Sequence, residues 1–236
     1  MNALLAEFLG TLLFVLVGVT SVCSAPYFSA DQVTQVIMIA TTNGIGLWVV
    51  IFLFGPYSGA YVNPAVTLGV ISAKQKNRKI FFPYLAAQTI GAVSGTFLLY
   101  LILPRELAEF TKIGLPHLAP SIGQLGGIII ETVITFTLVL TVLLASRMKE
   151  PFFAAMVIGA VLGFLILIFG AVTGAIMNPV RAFGPAMIAT IFLDTSASLS
   201  PWRDQLVYWI GPFLGGVIAG GTFYIPCVKH HITSKK

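Results

Sequence analysis

The sequence predicts an all-α membrane protein of six transmembrane helices plus two re-entrant half-helices, arranged as two inverted repeats. Three observations carry that prediction. Apolar residues make up 57% of the 236-residue chain and charged ones 9%, with a mean hydropathy of +0.96. The apolar residues fall into runs long enough to cross a bilayer, and one nine-residue pattern occurs twice. A soluble domain carries about 25% charged residues, so this chain cannot cover itself with a water-compatible surface. Soluble enzymes, disordered proteins and nucleic-acid binders are excluded on that ground.

A spanning helix needs roughly 20 residues. Runs near 3–24, 34–54, 81–103, 123–146, 152–170 and 205–227 meet that length, whereas 64–73 and 179–193 are too short. The first run is no signal peptide, because it lacks a basic leader and Glu7 interrupts it early. Gly (23), Pro (13) and Phe (18) suit a polytopic helical protein whose small residues let helices approach. Cys23 and Cys227 fall at opposite ends of their spans, about 30 Å apart across the bilayer core, and cannot pair within one chain.

Charge sets the expected orientation. Lys74, Lys76, Arg78, Lys79, Arg147, Lys149, Lys229, Lys235 and Lys236 are nine of the thirteen Lys and Arg, and all fall on one side. The opposite loops hold Arg105, Lys112 and Arg203 beside Asp31, Glu106, Glu109, Asp194 and Asp204. By the positive-inside rule both termini are expected in the cytoplasm, so the net charge of +5 reports topology rather than a nucleic-acid partner.

The repeat supplies the rest of the architecture. Ser58-Gly59-Ala60-Tyr61-Val62-Asn63-Pro64-Ala65-Val66 returns as Thr173-Gly174-Ala175-Ile176-Met177-Asn178-Pro179-Val180-Arg181, at an offset of 115. Glu7 and Thr11 match Glu131 and Thr135 at an offset of 124, as do Tyr84, Gln88 and Gly91 with Tyr208, Pro212 and Gly215. Each half holds three spans and one short segment, and an odd number of spans inverts the second copy. The chain is therefore one channel domain, 1–236, with a first repeat over 1–103, a second over 123–227 and a cytoplasmic tail over 228–236. Inverted repeats place a substrate path near the midplane.

Asn is a strong N-cap and Pro is favoured at the first helical position. Asn63-Pro64 and Asn178-Pro179 thus each start a half-helix, and inversion brings the two N-termini together. The stretches before them must be non-helical, which is tolerated at membrane depth only beside a cavity or inside protein. Their carbonyls, from Gly59, Ala60 and Tyr61 and from Gly174, Ala175 and Ile176, would offer acceptors along the path. The asparagine amides would offer donors where two positive dipole ends meet. Such a path suits a small neutral molecule that donates and accepts hydrogen bonds, and it repels cations.

NPAVTLG (63–69) and NPVRAFGPA (178–186), preceded by SGAYV and TGAIM, resemble the aquaporin and glycerol-facilitator family. The resemblance spans essentially the whole chain, including Glu7, Glu131 and the YWIGP run at 208–212. It implies an aquaporin-like fold, one pore per subunit and a homotetramer in a lipid bilayer, passing water and small neutral solutes with no cofactor and no metal. The pore motifs are Asn63, Pro64 and Ala65, and Asn178, Pro179 and Val180. Val180 stands where alanine is usual.

Arg181 is the lone Lys or Arg inside an apolar segment. A charge there costs roughly 2.5–3.5 kcal/mol at a helix centre, which makes it a functional candidate. Three residues after Asn178, it matches the family's selectivity-filter arginine. The same register puts Asn43, Ile166 and Ala175 in the filter. Taken alone, Asn43 equally fits a polar residue satisfied between helices, and Ile166 a lipid- or core-facing aliphatic. In register, they remove an aromatic wall and a histidine donor, so the constriction should be wider than a strict water filter. Glu7 and Glu131 read as structural acceptors for the re-entrant backbone.

Ala182, Ala186 and the Tyr208-Trp209 pair favour the water branch of the family over glycerol facilitators. The expected function is a passive water channel that also admits small uncharged solutes and excludes protons and ions. The alternatives are a glycerol- or metalloid-facilitating channel and, less well matched, a secondary transporter with inverted repeats. An enzyme is not expected: His117, His230 and His231 lie in a loop and the tail, away from Ser58.

Overall fold

The structure, a computed structural model, describes residues 1–193 and 200–233, with side chains of the last helix described as far as Ile225. Asp194, Cys227, Lys229, His230, His231, Lys235 and Lys236 lie outside the described side chains. The described residues form helices and connecting loops, with no strand among them.

The first four helices are α1 (Ala3–Phe28), α2 (Gln32–Ser58), the short α3 (Pro64–Ser72) and α4 (Phe81–Ile102). A six-residue helix α5 (Arg105–Phe110) lies in the central connection. Then α6 (Gln124–Ala145), α7 (Pro151–Thr173), the shorter α8 (Pro179–Phe192) and α9 (Gln205–Thr233) follow in the same order of long and short. Six of these are long and apolar enough to cross a membrane, which makes this a multi-pass membrane protein. All six expected spans are present.

The boundaries differ from the sequence reading in two ways. Helices α1 and α2 run four residues past the expected spans, to Phe28 and Ser58, with Pro26 and Pro56 accommodated in their last turns. Helix α9 continues to Thr233, so its backbone does not stop where the tail was expected to begin. The extra helix α5 starts after Pro104, buries Leu107 and Ala108, and carries an exposed Arg105–Glu109 ion pair at 2.9 Å.

Packing inverts the usual soluble pattern. Leu13, Val17, Ile45, Val49, Phe52, Val133 and Phe164 are exposed, whereas Glu7, Gln88, Glu131, Asn63, Asn178 and Arg181 are buried. Apolar residues face where lipid would be, and polar ones face inward. The most extensive helix pairs are α6 with α9, α2 with α7 and α1 with α4. Close approach is enforced by glycine at the matched positions 91 and 215: a Cβ on either would run into a backbone oxygen, Phe8 O or Thr132 O. The two short helices pack inside, α3 against α9 and α8 against α4.

Candidate functional site

The site is built where α3 and α8 begin. Asn63 and Asn178 are the N-caps, each followed by proline at the first helical position. Asn63 Oδ1 accepts from Ala65 N at 2.8 Å, and Asn178 Oδ1 from Val180 N at 3.2 Å. Each asparagine also crosses to the opposite loop: Asn63 Nδ2 donates to Met177 O at 2.8 Å and Asn178 Nδ2 to Val62 O at 2.9 Å. The two half-helices therefore meet N-terminus to N-terminus, as their cap chemistry predicts. An amide has two N–H donors, so each asparagine keeps one after the crossing bond.

The loops before the caps hold an unusual backbone. Gly59 and Gly174 end α2 and α7 in the left-handed region, at φ of 96° and 85°. Ala60, Val62, Ala175 and Met177 follow at φ between 45° and 52°. An L-residue there costs roughly 1–2 kcal/mol, so something must hold the loops in place. Two buried carboxylates do so. Glu7 Oε1 accepts from Ser58 Oγ (2.6 Å) and Tyr61 N (3.0 Å), and its Oε2 from Val62 N (2.8 Å) and Gln88 Nε2 (2.7 Å). Glu131 Oε1 accepts from Thr173 Oγ1 (2.7 Å) and Ile176 N (3.0 Å), and its Oε2 from Met177 N (2.8 Å). Tyr84 and Tyr208 donate their hydroxyls to Ser58 O and Thr173 O.

Carbonyl direction follows from this. Across a trans peptide the N–H and the preceding C=O point opposite ways. With the N–H groups of Tyr61, Val62, Ile176 and Met177 turned toward carboxylates, the carbonyls of Ala60, Tyr61, Ala175 and Ile176 turn away from them.

Two cavities border the loops, one reaching the asparagine pair and the other Arg181. The first, about 40 Å³, is lined by Gly59, Ala60, Tyr61, Val62, Asn63 and Asn178 with apolar side chains of α1, α2, α6 and α7. One water needs roughly 10–15 Å³, so water fits. The second, about 230 Å³, is lined by Ile166, Gly174, Ile176, Arg181 and His117 among others. Ile176 borders both.

Of the four residues assigned to the filter, Ile166 and Arg181 line the second cavity. Ala175 lies between Gly174 and Ile176, which also line it. Asn43 is 4% exposed, between Ile39, which borders the second cavity, and Leu47, which borders the first. Its Nδ2 is satisfied between helices, by Ser21 Oγ and Ile39 O. Arg181 is 6% exposed, and its Nη1 has no partner among the described residues.

Sequence reasoning passed over the loop-bracing roles of Ser58, Thr173, Tyr84, Tyr208 and Gln88, and the bonds that the Val62 and Met177 carbonyls accept from the asparagine caps. The matched positions of Ser58 with Thr173 and of Tyr84 with Tyr208 were the available signal.

Against known proteins, the model of the major intrinsic protein family matches residues 1–224. The chain belongs to the major intrinsic protein family. Aquaporin-4 of Bos taurus is 32% identical over 232 residues, covering 96% of this chain and 68% of the relative. Aquaporin TIP2-1 of Arabidopsis thaliana is 33% identical over 227 residues, 93% of this chain and 85% of the relative. Among solved structures, the aquaglyceroporin of Plasmodium falciparum matches with a TM-score of 0.83 at 22% identity, covering 96% of this chain and 98% of that one. That match shows the fold, and it agrees with the major-intrinsic-protein architecture of six spans and two half-helices.

Proposed function

We propose that this major intrinsic protein is a passive channel for water that also admits small uncharged solutes and holds back protons and ions. The observation that carries the reading is the pair of cross-bonded asparagine caps lining a cavity large enough for water. A water passing there meets an N–H from each cap where two half-helix N-termini converge, a field that favours oxygen and opposes cations. Arg181 adds a fixed positive charge on the second-cavity side. The relatives named aquaporin support the same reading.

Within that reading, Asn43, Ile166, Ala175 and Arg181 form the selectivity level, and the loop carbonyls from Gly59 to Tyr61 and from Gly174 to Ile176 form the acceptor track. Residues 1–103 and 123–227 act as inverted repeats. Both termini lie in the cytoplasm of a cell that carries the channel in its plasma or inner membrane, where it works as a homotetramer. A coupled transporter is disfavoured by placement: Glu7 and Glu131 are buried against the loop N–H groups and line neither cavity.

The test is osmotic shrinkage of proteoliposomes followed by light scattering. Shrinkage several-fold faster than in empty vesicles, and indifferent to imposed ion gradients, is expected. Flux that needs an ion gradient would instead make the protein a transporter.

A further inference from the structure

The level between the two cavities joins two filter residues, Asn43 and Arg181, to Gly18 and Ser21, which the filter register does not include. On α1, Phe14 borders the first cavity and Val22 the second, with Gly18 one turn from each. On α2, Ile39 borders the second and Leu47 the first, with Asn43 one turn from each. Residues four apart share a helix face, so Gly18 and Asn43 both stand at the junction of the cavities.

Their contact is direct. A Cβ on Gly18 would lie 2.5 Å from Asn43 Oδ1 and 3.6 Å from Arg181 Nε. The missing side chain is thus the space that the Asn43 carbonyl occupies, and the Arg181 guanidinium borders the same space.

The amide is held one way round. Ser21 Oγ donates to Gly18 O at 2.8 Å, which spends the hydroxyl proton and leaves its oxygen as an acceptor. Asn43 Nδ2 donates to that oxygen at 3.0 Å and to Ile39 O at 2.8 Å. A backbone carbonyl can only accept, so Ile39 fixes which end of the amide is nitrogen. Both N–H donors are consumed, and Oδ1 is the group left at the junction.

We infer that Ser21 is a positioning residue that sets solute specificity: with Ile39 O fixing which end of the amide is nitrogen, Ser21 holds the second N–H and so aims the Asn43 carbonyl at the space it shares with the Arg181 guanidinium. This inference rests on the channel reading above. The junction then has two signs. Arg181, whose Nη1 lacks a partner among the described residues, donates. Asn43 accepts. A small neutral solute with hydroxyl groups, which donate and accept, is held on both sides as it passes, whereas an all-donor junction would hold it on one. Serine suits the task because its short side chain reaches Gly18 O and Asn43 from within the helix.

The experiment measures the glycerol-to-water permeability ratio in proteoliposomes for the parent, Ser21→Ala, Ser21→Thr, Asn43→Ala and the Ser21→Ala/Asn43→Ala double variant. Ser21→Ala is expected to lower the ratio roughly threefold, in the range of one neutral hydrogen bond, with water flux nearly unchanged. Ser21→Thr keeps the hydroxyl and should restore the parental ratio. In the Asn43→Ala background, Ser21→Ala should change nothing further. An unchanged or raised ratio in Ser21→Ala, or an equal fall without Asn43, would overturn the proposal. If the parent conducts no more water than empty vesicles, it is the channel reading that fails, and the ratio is then undefined for all variants.

Discussion

The two loop cradles share a frame and differ in their lining. In both, a buried glutamate gathers a hydroxyl and two successive backbone N–H groups, and a tyrosine pins the preceding carbonyl. The first cradle has one more donor, Gln88, where the second half has Pro212. At the third helical position the first half-helix carries Val66 and the second Arg181. The cavities follow suit: about 40 Å³ with mostly apolar walls on one side, about 230 Å³ with the guanidinium on the other. What recurs is the device that holds strained backbone, and what differs is what a solute meets. Support is therefore a property of both halves, while selectivity belongs mainly to the second.

Breaking the shared frame should have the largest effect. Glu7→Ala takes the acceptor from the Ser58 hydroxyl, two loop N–H groups and one Gln88 N–H, and at about 1–3 kcal/mol each the loss reaches about 4 kcal/mol or more. The variant should fail to give a monodisperse peak on size-exclusion chromatography, and Glu131→Ala, with three donors, should fare little better. Normal folding of either would show that the loops are held by something other than the carboxylates.

Next comes the difference in lining. A unit charge about 4 Å away contributes roughly 4 kcal/mol at an effective dielectric near 20. Arg181→Val should therefore raise cation and proton leak by up to about three orders of magnitude while sparing water flux. Equal leak in variant and parent would remove Arg181 from the selectivity level.

Ile166→His puts a polar ring with a donor in place of an aliphatic wall of the second cavity. The glycerol-to-water ratio should fall roughly 2- to 10-fold, the worth of a neutral hydrogen bond. An unchanged ratio at matched protein density would place the constriction elsewhere.

The smallest effect is expected where the cradles diverge. Gln88→Met deletes the donor that the second half manages without. Gln88 Oε1 has no partner among the described residues, so its removal offsets part of the two lost bonds, to Glu7 Oε2 and Thr67 Oγ1, and the net cost should stay at about 1–2 kcal/mol. Thermal unfolding in detergent should show a small shift. A collapse like that of Glu7→Ala would make Gln88 part of the frame.

Much of this was legible in the sequence because it is local. Asn-Pro at a helix start is cap chemistry, and it survives any tertiary arrangement. The glutamates were legible through repetition: one buried acid is ambiguous, but two at matched positions imply a shared task. The lining was not legible from periodicity. Spanning helices are apolar on nearly every face, so no stripe in α1 or α2 marks Phe14, Gly18, Asn43 or Leu47 as inward. Asn43 entered through family register alone, and its clamp by Ser21, 22 residues away, exists only once α1 and α2 are packed.

The central claim is that water passes the paired asparagine caps while protons do not. Both fluxes can be read in the same proteoliposomes, with light scattering after an osmotic step and a trapped pH dye under a pH gradient. Fast shrinkage of the vesicles with a dye signal no faster than in empty ones is the expected result. A proton flux that rises in step with the water flux would contradict the account.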